Sequence, residues 1–73
     1  MKWQFSGLGA GVYVFGAAPL TNMPSDLGRA PFIHVQENNE GEPFLASVTK
    51  TGFEIVDRGT GPAPVVTVTI IER

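Results

Sequence analysis

"FSGLGAGVYVFG", residues 5–16, sets glycines at alternate positions 7, 9 and 11 directly before an apolar run. As a phosphate-cradling loop the stretch would belong to an α/β protein; as a bend between strands it belongs to an all-β one. A dinucleotide fingerprint needs a strand, then the glycines, then a helix whose N-terminal N–H groups and dipole meet the pyrophosphate. Here the glycines lead into Val12-Tyr13-Val14-Phe15, a β-forming run, and no helical pattern follows. The glycines are spaced GxGxG rather than GxGxxG, and no Lys-Ser or Lys-Thr pair completes a P-loop. The stretch therefore reads as a sharp bend or a close backbone approach between Trp3-Gln4-Phe5 and the next strand.

Working outward, nine glycines and six prolines interrupt every window long enough to carry a helical period. Strands are predicted at Lys2–Phe5, Gly11–Phe15, Phe32–Gln36, Phe44–Lys50, Phe53–Asp57 and Val65–Ile71, each rich in β-branched or aromatic residues and bounded by turn formers. Residues 1–73 thus form one all-β domain, a small antiparallel β-sandwich or barrel of about six short strands. Alternation assigns the faces: Phe53 and Ile55 point in, as do Val66, Val68 and Ile70, with Thr67, Thr69 and Ile71 opposite. "GVYVF" breaks that rule, because Val12 and Val14 share one side while Tyr13 and Phe15 share the other. A strand apolar on both sides is covered on both, by its own chain or by a neighbour.

Among the connections, Lys50-Thr51-Gly52 joins two strands as a hairpin, with Gly52 free to take a positive φ. Gln36–Pro43 reads as a polar hairpin tip, and Asp57–Pro64 as a turn-rich link stiffened by proline. The long Gly16–Pro31 segment carries Leu20, Met23 and Leu27, which either plug the open end of the sandwich or serve binding. Within it, "MPSDLG" allows one helical turn, started by Pro24 and closed by Gly28.

A chain of 73 residues buries a small core, which by itself leaves about 3–5 kcal/mol of net stability. Cysteine is absent, so neither disulfides nor thiolate metal sites supplement it, and association with further copies is favoured by elimination. The net charge of −2, with Lys2, Arg29, Lys50, Arg58 and Arg73 scattered, offers no basic stripe for nucleic acid. No apolar run approaches the roughly 20 residues of a membrane span, and the start lacks a secretory pattern. The expectation is a soluble product made inside the cell, or one exported only within a larger particle.

Candidate chemistry is sparse. His34, the single histidine, shares a strand face with Phe32 and Gln36; the acids Glu37, Glu40, Glu42 and Glu54 show no spacing that would make it a ligand or an oriented base. The run "ENNEGE" supplies oxygen ligands but departs from calcium-loop spacing, and reads as a solvated loop. Trp3, Tyr13 and this loop could together present an aromatic face and planar polar groups to a sugar. No nucleophile, base and orienter set is present, so the expectation is no enzyme, no cofactor, no metal and no catalytic residue.

Residues 30–71 carry a resemblance. Ala30-Pro31 opening a strand, the corner Val48-Thr49-Lys50-Thr51-Gly52-Phe53 and the alternating Val65–Ile71 resemble the small β-sandwich modules at bacteriophage tail-fibre tips and related H-type-lectin-like domains. The N-terminal strands are shorter here and the last strand lacks the aromatic residue often found there, so no sugar-binding residue is carried over. The resemblance implies a self-associating module, commonly a homotrimer. Its expected role is a non-enzymatic virion structural protein of a bacteriophage: a small tail, fibre or capsid-decoration subunit, made in the host cytoplasm and located in the virion. Its partners would be its own copies and other virion proteins. The alternative is a receptor- or glycan-binding β-sandwich module facing a host-surface glycan. Oligomer interface candidates are Tyr13, Phe15, Leu20, Met23 and Ile71, and Ser at positions 13 and 15 is expected to dissociate the oligomer.

Overall fold

Strict alternation in two segments builds two sheets. In the computed structural model, which describes residues 1–38 and 41–73, six strands run Lys2–Leu8 (β1), Gly11–Val14 (β2), Phe32–Glu37 (β3), Pro43–Thr49 (β4), Gly52–Asp57 (β5) and Val66–Ile71 (β6). They form two three-stranded antiparallel sheets, ordered β1-β6-β3 and β2-β5-β4. The central strands β5 and β6 are the most buried ones. Val66, Val68 and Ile70 from one and Phe53 and Ile55 from the other are buried in a common core, as alternation requires. The protein is a small all-β fold with its apolar side chains gathered between two sheets.

Three short links, Leu8 to Gly11, Glu37 to Pro43 and Asp57 to Val66, carry the chain between the sheets at one end. At the first, the glycines bend the chain. Gly7 takes φ +74° at a bulge where Phe5 pairs with Val68 but Leu8 with Val66, so three steps on β1 match two on β6. That extra residue turns Leu8 inward, where it is 5 % exposed. Ser47 does the same on β4: at φ +53° it is the extra residue between the Ala46–Glu54 and Thr49–Gly52 pairs, and it swings Val48 onto the core.

At the other end the Gly16–Pro31 segment closes the sandwich. Leu20 is fully buried and Met23 nearly so, with Leu27 packed against the same cluster. Backbone bonds from Phe15 N–H to Thr51 O (3.0 Å) and Leu27 N–H to Lys50 O (3.0 Å) fasten it to the β4–β5 hairpin. These apolar residues are the plug that one of the two readings of the segment required.

Three local expectations are corrected. Gln36–Pro43 is not a hairpin tip, because β3 pairs with β6 and β4 with β5, so the segment steps between sheets; its residues 39 and 40 lie outside the described residues. "MPSDLG" forms bends rather than a helical turn: the Asp26 carboxylate accepts from Gly28 N–H at 2.8 Å, a side-chain closure that competes with helix. Gly52 does not need a positive φ; it is needed because a Cβ there would collide with the Tyr13 carbonyl of β2.

Candidate interaction surface

Each sheet has one face on the core, so function must be sought on the outer faces and at the ends. On β1-β6-β3 the outer face is polar except at one end, where Phe32 and Ile71 are exposed. Gln4, Thr69 and His34 lie in one row, with Thr67 and Gln36 in the next. Hydroxyls and amides there bond to one another: Gln4 Nε2 donates to Thr69 Oγ1 (3.3 Å), Asn38 Nδ2 to Thr67 Oγ1 (2.8 Å), and Thr67 Oγ1 to Ser6 Oγ (3.4 Å).

The outer face of β2-β5-β4 is built differently. Register places Val12 beside Glu54 and Ala46, Val14 beside Gly52 and Thr49, and Val56 beside Phe44. Val12 is 72 % exposed, Val14 52 % and Phe44 38 %. Because Gly52 has no side chain, the row it occupies is low. An open depression of about 360 Å³ lies here, walled by Val12, Val14 and Glu54 with hydroxyls of Ser47, Thr49 and Thr51 on the other side. Arg58, just past β5, lays its guanidinium over the Phe44 ring with Cζ 4.9 Å from the centroid.

The five interface candidates do not gather on this surface. Phe15 is 1 % exposed, and Leu20 and Met23 lie in the core cluster, closed off within a single copy. Tyr13 faces inward too, stacked on Phe53 with centroids 5.4 Å apart and its hydroxyl donating to Gly9 O at 2.6 Å. The physical reason is size: of the two sides of "GVYVF", the one with two large rings removes more apolar area from water and takes the core. Ser at positions 13 and 15 would therefore damage the fold itself. Only Ile71 is exposed, at 42 %, between Lys2 and Phe32 at one end of the polar face, where Arg73 Cζ stands 4.2 Å from the Phe32 centroid.

The remaining sequence candidates are dispersed. His34 and Glu54 stand on opposite outer faces of the sandwich. Trp3 and Tyr13 both pack against the core from different sheets, so they do not form one aromatic platform for a sugar. The oxygen-rich loop includes residues 39 and 40, outside the described residues; among the described residues no group of three or more His, Asp or Glu is placed to hold a metal ion. Val12, Val14, Phe44 and Val56, with Glu54 and Arg58 among them, were missed as a surface. The failed alternation of "GVYVF" was their signal.

In comparisons with known proteins, no family model, no curated protein and no solved structure matches this chain.

Proposed function

We propose that this protein is a non-enzymatic, self-associating β-sandwich subunit of a bacteriophage virion, working by packing rather than by chemistry. One observation carries the reading: the outer face of β2-β5-β4 exposes Val12 and Val14 on one edge strand and Phe44 on the other, with Val56 beside Phe44 on the central strand. Exposed apolar side chains gathered on one sheet face of a small protein mark a contact surface or an aggregation hazard. Self-association covers it and also supplements a core of limited size. The resemblance of residues 30–71 to tail-fibre-tip modules supports placing the subunit in a tail, fibre or capsid decoration, beside other virion proteins. That resemblance implies three copies; the face itself favours two, as argued below.

The test is mass spectrometry of virions purified from a lysate of cells carrying the gene. Many copies per particle are expected. A protein confined to the soluble fraction, with none in the particles, would overturn the virion assignment.

A further inference from the structure

The apolar face carries two charges whose spacing is informative. Along the central strand β5 the outward positions are Glu54 and Val56, and Arg58 continues the same side beyond the strand end, held in register by its N–H bond to Glu42 O (3.0 Å). Among the described residues the ion pairs are Met1 with Glu72 and Lys50 with Asp26; Glu54 and Arg58 take part in neither. Four residues of strand separate them by about 13 Å, too far to pair within one chain. The cross-strand neighbours of Glu54 are Val12 and Ala46. A half-buried carboxylate thus stands among apolar side chains, with a cation at equal distance on the far side of Val56.

Acid, apolar, base at equal steps is a pattern complementary to its own reverse. Resting on the self-association reading above, we infer that a second copy of this chain docks face to face on β2-β5-β4 about a two-fold axis through Val56. The β5 strands then run antiparallel, at the roughly 10 Å spacing of packed sheets. Glu54 meets the partner's Arg58, Arg58 meets the partner's Glu54, and Val56 and Phe44 fill the space between, with Val12 and Val14 at the rim. A two-fold contact is isologous, so one self-complementary patch suffices. A three-fold axis along the strands would bring three copies of Glu54 to one height, where like charges repel.

Three strands and about six residues give a face of about 15 Å by about 20 Å, about 300 Å² per copy, below the roughly 800 Å² per partner of a standard interface and in the range of weak, transient contacts. The dimer is therefore expected to be weak and to dissociate on dilution.

Sedimentation equilibrium on wild type, Glu54→Arg, Arg58→Glu and the double reversal tests this. Wild type should be a reversible dimer, each single reversal should weaken it at least about tenfold, and the double reversal should return it to within about threefold of wild type. Thermal melts of each variant separate lost contact from lost fold. Should a reversal disturb folding, Glu54→Gln and Arg58→Gln serve instead, each weakening association several-fold. A trimer, single variants that leave the mass unchanged, or a double reversal as weak as the singles would overturn the two-fold pairing while leaving self-association standing. A wild-type monomer across the whole concentration range would overturn both.

Discussion

The two outer faces of this sandwich are made by strands of equal number and like pairing, yet they meet water in opposite ways. On β1-β6-β3, threonines, glutamines and His34 cover most of the sheet, and Gln4 bonds to Thr69 and Thr67 to Ser6 across strands. On β2-β5-β4, valines and Phe44 occupy the corresponding positions, and the one acid and one base among them take part in no ion pair among the described residues. An antiparallel sheet with one solvated face ordinarily shows apolar-in, polar-out alternation. β6 obeys this as "VTVTI"; β2 does not, as "GVYV". The first face is polar along most of its length, with Phe32 and Ile71 exposed at one end, whereas the second carries its exposed valines and Phe44 along the whole sheet; on the proposed reading, that second face is the one a partner covers.

The inner faces should respond alike, and this is the largest effect. Ile70→Ala in the first sheet and Ile55→Ala in the second each remove a fully buried side chain, at a cost of about 2–5 kcal/mol. Against the modest stability of so small a domain, both are expected to be largely unfolded in a urea titration. A fully folded variant at either position would show that the core is not shared between sheets as described.

Gly52→Ala strikes the second sheet alone. Its Cβ would drive into the Tyr13 carbonyl, and backbone on both sides leaves little room to yield. A loss of about 1–3 kcal/mol is expected, with amide exchange rising first in β2. Equal loss of protection in β1 and β2 would mean that the strain is not local.

A gentler change makes the second face read like the first. Val12→Thr with Val14→Thr keeps β-branching and shape, so thermal stability should move by less than about 1 kcal/mol. Association should nevertheless weaken about tenfold or more. On the polar face, Gln4→Ala loses a 3.3 Å hydrogen bond between exposed side chains, and is expected to shift stability by less than about 0.5 kcal/mol and leave the mass in solution unchanged. An effect of Gln4→Ala on association would move the contact to the wrong sheet.

Most of this architecture was legible before any coordinates. Alternation in "FEIVD" and "VVTVTII" assigned the inward residues of both central strands correctly, because period-two patterning reports burial directly. The bulges at Gly7 and Ser47 were not legible. Each inserts one residue, so Leu8 and Val48 face inward against the alternation of their own strands. The pairing of β3 with β6 rather than β4 was hidden as well, since a polar loop looks the same whether it closes a hairpin or steps between sheets. For the surface, "GVYVF" revealed two apolar sides, but which side faced outward depended on tertiary packing, where Phe53 receives the Tyr13 ring. The Glu54, Val56, Arg58 pattern acquires meaning only once β5 is known to be a central strand with an apolar outer face.

Mass in solution, measured by sedimentation equilibrium over a wide concentration range for the wild type beside the Val12→Thr, Val14→Thr variant, tests the central claim most directly. The apolar face predicts a reversible wild-type oligomer and a variant that stays folded but is monomeric at the same concentrations. A folded wild-type monomer throughout, or a variant that associates as tightly as the wild type, would contradict it.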